Sequence, residues 1–196
     1  MSNNSAKKTG KLIILSAPSG TGKSTVASTL LNRHSDKIVL SISATTRAPR
    51  GQEKEGVHYY FKSEEDFQKM IESKSFLEHA QVFGKHRYGT PLSFVEDVLR
   101  QGKSVLFDID VQGARQIKKA KPAETIAIFL HPPTFQELES RLRNRKTETE
   151  DAIAQRLNAA KKEINESAWF DHQVTNSDLG DCIRQIEEIL LKGGAL

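Results

Sequence analysis

The sequence is short of the residues that cross-link a chain or carry it through a membrane. Its 196 residues include one cysteine, Cys182, which excludes an intramolecular disulfide and a metal site built from several thiolates. No apolar run approaches the ~18 residues that a membrane helix needs, so no membrane partner is expected. Residues Met1 to Gly10 are polar and carry lysines. With no apolar stretch ahead of a cleavage site they do not read as a signal peptide, and a cytoplasmic location is expected. There is no internal repeat and no low-complexity tract. Charge of one sign is not in large surplus: 29 Lys and Arg face 25 Asp and Glu, a net +4. That balance suits a small phosphorylated substrate as well as a polyanion. No patch interleaves aromatic with basic residues in the manner of an RNA-binding surface, so no nucleic-acid partner is expected. The remaining composition, 37% apolar and 28% charged, is that of an ordinary globular chain of one domain over 1–196.

Strand and helix patterns alternate along the chain. Lys11 to Ser16 reads as a buried strand, Lys23 to Arg33 as a helix with Val26, Leu30 and Leu31 inward, and Ile38 to Ile42 as a second strand. After a polar stretch, Val57 to Phe61 is strand-like. Ser63 with Asp66 caps a helix, and Phe76 to Phe83 is again strand-like. Pro91 to Arg100 reads as a helix, Ser104 to Ile109 as a buried strand, Gln112 to Lys119 as a helix and Thr125 to Leu130 as a strand. Thr134 with Glu137 and Thr147 with Glu150 make capping boxes for two helices, the first ending near Asn144 and the second near Ala168. Gln173 to Thr175 and Asp181 to Leu191 give a last strand and helix. This alternation predicts an α/β fold, a parallel sheet flanked by helices. The core is expected over about 11–42, 91–140 and 169–192. Residues 43–90 break the pattern and read as an inserted mixed-β subdomain, and 141–168 as a helical lid.

Between the first strand and first helix lie Ala17, Pro18, Ser19, Gly20, Thr21, Gly22, Lys23 and Ser24. This is the P-loop pattern with Ala17 in place of the first glycine. Gly20 and Gly22 permit backbone angles that turn successive N–H groups toward one centre, and the helix N-terminus adds partial positive charge. Lys23 then reaches the β- and γ-phosphates of a bound nucleotide such as ATP, and the Ser24 hydroxyl ligates Mg²⁺. Spacing, preceding strand, following helix and the Lys-Ser pair coincide. Asp108, at the end of an apolar strand, is the candidate carboxylate for the Mg²⁺ shell, partly through water. Asp110-Val-Gln-Gly113 also fits the D-x-x-G of a GTPase switch, but the N-K-x-D partner motif is missing; the nearest match, Asn176-Ser-Asp178, has no lysine. Transfer to a second substrate needs instead an acceptor site and a water-excluding lid.

The chain offers both. Arg47 and Arg50 flank Ala48-Pro49, and two guanidiniums three residues apart suit a phosphate; Ser43, Glu53 and Tyr59 lie nearby in sequence. Glu78 with Tyr88-Gly89-Thr90 forms a second cluster. Arg145 marks a charged turn between two helices, and Arg156 shares the more apolar helix face with Ile153 and Ala160, which argues against pure solvation.

Taken together, these residues resemble the guanylate kinases over nearly the whole chain. The most specific stretch is Ser43-Ala-Thr-Thr-Arg47-Ala-Pro-Arg50, followed by Glu53, Gly56 and Tyr59. Asp108 to Gly113, Glu78 to Ala80 and Arg145 to Glu150 match three further motifs. The resemblance implies a P-loop core with a GMP-binding subdomain and a lid, and transfer of the γ-phosphoryl group of ATP to GMP with Mg²⁺, in purine nucleotide metabolism. It implies that Ser43, Arg47, Arg50 and Tyr59 hold the GMP phosphate, with Tyr88 nearby, and that Glu78, Thr90 and Asp110 read guanine. It places Lys23, Arg47, Arg145 and Arg156 in catalysis and Asn176 near the adenine. Three features depart from the family pattern: a loop one residue longer between Glu78 and Tyr88, Lys146 where glycine is common, and a glycine one position early before Gln52-Glu53. Two other readings share the motifs. A related kinase of phosphorylated sugars would lack the guanine-reading carboxylates, and a non-catalytic guanylate-kinase-like binding module would lack Lys23.

Overall fold

The computed structural model of the chain describes residues 10–82, 85–144 and 149–196. Its centre is the strand β1 (Leu12–Ser16), buried at every position. A strand covered on both faces needs a continuous apolar run rather than an alternating one, and LIILS supplies it. With β2 (Ile38–Leu40), β7 (Ser104–Asp108), β8 (Thr125–His131) and β9 (His172–Thr175) it forms a parallel sheet in the order β2-β7-β1-β8-β9. Strand alternation divides the core in two. Ile13 and Leu15 meet Val26 and Leu30 of α1 (Lys23–Arg33), and Ile183, Ile186 and Leu190 of α7 (Leu179–Lys192). On the other face Leu12 and Ile14 meet Val95 and Val98 of α3 (Leu92–Arg100), and Ala114 and Ile117 of α4 (Val111–Ala120). Chain order reverses beside β1, so a crevice opens past the C-terminal ends of β1 and β7, where α/β sheets take their ligands.

A second sheet covers 44–91, in the order β4-β3-β6-β5: Tyr60–Phe61, Ala44–Thr45, His86–Pro91 and Phe76–Val82. β3 pairs parallel with β4 and antiparallel with β6, so the sheet is mixed. Helix α2 (Glu64–Glu72) rests on it through the fully buried Phe67, whose ring lies 4.5 Å from that of Phe76. Helices α5 (Phe135–Arg143) and α6 (Glu150–Asn165) pack through Leu138, Leu142 and Ala160.

Several expected boundaries move. Val57 to Phe61 is not one strand: only Tyr60 and Phe61 join the sheet and Tyr59 makes an isolated bridge to Glu55, because Gly56, at φ 70°, turns the chain and Val57 stands 62% exposed. The polar stretch before it contains β3. Residues 86–91, left without an element by the sequence, form β6, and Pro91 closes that strand instead of opening a helix. Phe83 lies outside the described residues. The cap of α6 is Thr149, whose hydroxyl accepts the Ala152 N–H; Thr147 lies outside the described residues. That helix ends at Asn165, and Glu166–Trp169 follow as a 3-10 turn. The expected caps Ser63 and Thr134 accept the N–H groups of Asp66 and Glu137.

Candidate active site

The phosphate cradle follows β1 directly. Gly20 and Gly22 take φ 96° and 95°, the left-handed region where a side chain is strained. Ala17 is buried, and among the described non-glycine residues only Lys74 has a positive φ, so alanine suits the first position. Lys23 begins α1, aiming the helix N-terminus at the loop. Its Nζ lies 2.7 Å from Asp108 Oδ1 and donates to the Ile109 carbonyl at 3.3 Å. Asn176 supports the loop from behind: its Nδ2 donates to the Thr21 carbonyl at 2.8 Å, and a Cβ on Gly22 would sit 2.8 Å from the same atom. The amide of this buried residue therefore braces the cradle, a task that a contact 155 positions apart hid from the sequence.

The arginine cluster lies on the second sheet. Arg47 is 7% exposed, and each nitrogen of its guanidinium has one partner. Nη2 pairs with Glu53 Oε1 at 2.9 Å, Nε donates to the Tyr88 hydroxyl at 3.2 Å, and Nη1 donates to the Ala48 carbonyl at 2.9 Å. The charge lies 5.3 Å from the centre of the Tyr59 ring. The other oxygen of Glu53, Oε2, accepts the backbone N–H of Arg50 at 2.8 Å, and the Arg50 side chain is exposed. Glu53 thus ties both arginine positions together, and contact with Arg47 keeps its carboxyl below the usual carboxylate range. Ser43 is half-buried at the neighbouring strand, its carbonyl accepting from Tyr60.

Glu78 and Thr90 face one another across the β5–β6 pair. Thr90 Oγ1 donates to Glu78 Oε1 at 2.7 Å, and Ser41 Oγ lies 3.4 Å from the same hydroxyl. Glu78 is 6% exposed. Burial, and behind it the nearby Asp110 carboxylate, push its pKa up, while Thr90 pulls it back. Asp110 caps α4, its Oδ1 accepting the Gly113 N–H at 2.9 Å. A Cβ on Gly113 would lie 3.2 Å from Glu78 Oε2. Glu78 is thus held across the strand pair by Thr90 and lies against the first turn of α4, where Asp110 is the capping carboxylate.

Helix α6 closes the third side. Arg156 Nη1 donates to Ser19 Oγ of the cradle at 2.9 Å. A cavity of about 440 Å³ separates the helix from the loop, lined by Ser19, Gln155, Arg156 and Glu163 among others. Glu163 carries no motif; only its spacing, seven residues after Arg156, marks it. Burial raises its pKa while Lys23 opposes the rise. Arg145 and Lys146 lie outside the described residues.

Among the described residues no three His, Cys, Asp or Glu side chains cluster as a metal cage. Ser24 and Asp108 are hard oxygen donors at the open mouth of the loop. They fit a cation that keeps several waters and is held mainly by phosphate oxygens.

A P-loop-type turn after the central strand of a parallel sheet, with an arginine cluster on a second sheet, has the form of a P-loop phosphotransferase. A family model described as guanylate kinase matches residues 9–193. A guanylate kinase of Rickettsia bellii is 48% identical over 95% of this chain and 96% of its own length. One from Prochlorococcus marinus is 50% identical over 94% and 98%. The crystal structure of guanylate kinase from Anaplasma phagocytophilum superposes with a TM-score of 0.72 at 36% identity, over 94% of this chain and 86% of that one. The chain belongs to the guanylate kinase family and is an enzyme.

Proposed function

We propose the following division of labour for an enzyme that moves the γ-phosphoryl group of ATP to GMP, giving ADP and GDP. Phosphoryl transfer is mostly positioning and charge stabilisation. Residues 17–24 cradle the ATP phosphates by backbone N–H groups and Lys23, and Asn176 holds the shape of that loop beside the adenine. Ser24 and Asp108 would hold Mg²⁺, partly through water, whose charge would offset that of the β- and γ-phosphates. Arg47, Arg50, Ser43 and Tyr59, with Tyr88, take the GMP phosphate, and residues 43–90 act as the GMP-binding subdomain. Glu78, Thr90 and Asp110 read the base. Guanine presents N1–H and a 2-amino group, two donors for acceptor-only carboxylates, where adenine presents a bare N1. Arg156 with Arg145, on the lid at 141–168, reaches over the transferring group. No general base is required, because the acceptor is an anionic phosphate oxygen.

The observation that carries this reading is the pair of neighbouring carboxylates, Asp110 and the buried Glu78, the latter on the sheet whose Tyr88 meets Arg47. A kinase of sugar phosphates has no use for them, and a binding module has no use for Lys23. The chain would act in the cytoplasm, in purine nucleotide metabolism, where it recycles GMP. Coupled measurement of ADP release from ATP·Mg²⁺ with GMP, AMP, CMP, UMP and glucose 6-phosphate tests it. ADP release is expected with GMP at a kcat/KM about 10⁴-fold above AMP. Release with the sugar phosphate and none with GMP refutes it.

A further inference from the structure

We propose that Asp108 is a lock on the P-loop lysine, one that makes nucleotide binding depend on a divalent cation. The proposal rests on the assignment of residues 17–24 as the ATP cradle. Phosphate binding requires the Lys23 ammonium to face the loop, yet here that ammonium is committed elsewhere. It lies 2.7 Å from Asp108 Oδ1 and 3.3 Å from the Ile109 carbonyl, so two of its three donors already have acceptors. Asp108 ends β7, whose pairing with β1 fixes Leu15 opposite Asp108. The carboxylate is therefore held beside the root of the loop by the sheet itself and does not drift away on a flexible segment.

The surroundings strengthen the lock. Glu163 faces Lys23 from α6 and senses its charge, and Asp110 lies close enough for Glu163 to sense it as well. Arg156, bonded to Ser19, is the cation on the opposite wall. A polyphosphate arriving alone must take Lys23 from Asp108 and then lie against a bare carboxylate. Like charges at such separations repel strongly where water is partly excluded. A divalent cation arriving with the phosphates changes both terms. Asp108 turns from the ammonium to the cation shell, and Lys23 is released to the phosphates. The lysine and the cation thus exchange Asp108 between them, which is a coupling free energy between nucleotide and metal.

The test is equilibrium binding, with no turnover required. Dissociation constants of ATP and of inorganic tripolyphosphate are measured by calorimetry, in EDTA and in saturating Mg²⁺, for the full chain and for Asp108→Asn. Thermal melting checks that the variant is folded, and Asp108→Ala provides a second route. Tripolyphosphate isolates phosphate charge from any effect on the adenine. The lock predicts that Asp108→Asn binds metal-free ATP and tripolyphosphate about tenfold more tightly than the parent, within the usual range of such couplings. It also predicts that the ratio of metal-free to Mg²⁺ dissociation constants falls toward one. An unchanged or weaker metal-free affinity in both folded variants overturns the proposal. Lys23→Ala separates this from the underlying assignment. If it leaves ATP·Mg²⁺ affinity intact, the cradle reading fails. If it weakens binding while Asp108→Asn changes nothing, only the lock fails.

Discussion

Glu78→Gln is expected to make the protein more stable and a worse enzyme. The two effects come from the same atoms. Glutamine keeps the shape of the side chain and an oxygen able to accept the Thr90 hydroxyl, now 2.7 Å from Oε1. It removes the charge from a residue 6% exposed. Burial first, and Asp110 after it, raise the folded-state pKa of Glu78 above its ordinary value near 4.5. Between the unfolded and folded values the native state then binds more protons than the unfolded chain. The stability linked to this group is complete below the unfolded value and is lost as pH rises through the folded one. Toward neutral pH the parent therefore bears the cost of keeping this group buried, and the variant does not.

The gain is on the order of 1 kcal/mol, about 2–4 °C in Tm for a chain of this size. Melting curves from pH 4 to pH 8 should converge in acid and separate toward neutrality, the variant melting higher. Catalysis should move the other way. On the proposed assignment, one charged hydrogen bond from Glu78 to guanine is at stake. Such bonds contribute about 1.5–3 kcal/mol, which raises KM for GMP about tenfold to a hundredfold. The GMP-to-AMP ratio of kcat/KM should narrow and KM for ATP should hold. Saturating GMP should stabilise the parent more than the variant, because the ligand gives the buried carboxylate its partner. A variant that melts lower than the parent at neutral pH and keeps its GMP preference refutes the reasoning. Glu78 would then be a structural acceptor for Thr90, and base recognition would fall to Asp110.

Glu53→Ala releases the Arg47 guanidinium and the Arg50 backbone N–H together, and should raise KM for GMP about tenfold, the loss of one charge-assisted contact. Glu53→Gln should recover part of it and the dissociation constant for ATP should not move; an equal rise for both substrates would mean a general loosening. Arg156→Ala should lower kcat about a hundredfold, the scale of one stabilising charge at the transferring group. ATP affinity measured without GMP should change much less, and equal losses in both would make Arg156 a ground-state contact.

The proposed donor side is legible as a motif because it is local. Eight consecutive residues carry the whole cradle, and the chemistry of a phosphate dictates their types and order. The acceptor side is assembled across the chain. Thr90 meets Glu78 only through the register of β5 and β6, and Asp110 joins them from the head of α4. β3 and β4 are two residues each, too short for an alternating pattern to register, so β3 is hidden in the polar stretch and β4 is legible only inside the longer Val57 to Phe61 run, while β5 stands out. The α6 cap illustrates a different limit. Thr147 and Thr149 both stand near the start of a helix whose polar first turn carries no fixed phase, and only the backbone shows that Thr149 holds Ala152.

The residues whose tasks were hardest to read are those that bind another charged residue instead of a substrate. Glu53 and Asp108 both contact a functional cation, at 2.9 and 2.7 Å, and their consequences are opposite. Glu53 holds Arg47 with both oxygens committed within the protein, one on the arginine and one on the Arg50 N–H. Tyr88 and the Ala48 carbonyl hold the other two nitrogens, so a phosphate arriving there would meet a guanidinium already ordered. Asp108 holds Lys23 with one oxygen at a partly exposed position, side chain 34% accessible, where a competing cation can reach it. Ordering an arginine in advance lowers the entropy cost of binding, whereas a lysine that must change partners makes binding conditional. On these assignments the acceptor phosphate would meet a site already formed, and the donor one that forms only when its counter-ion comes with it.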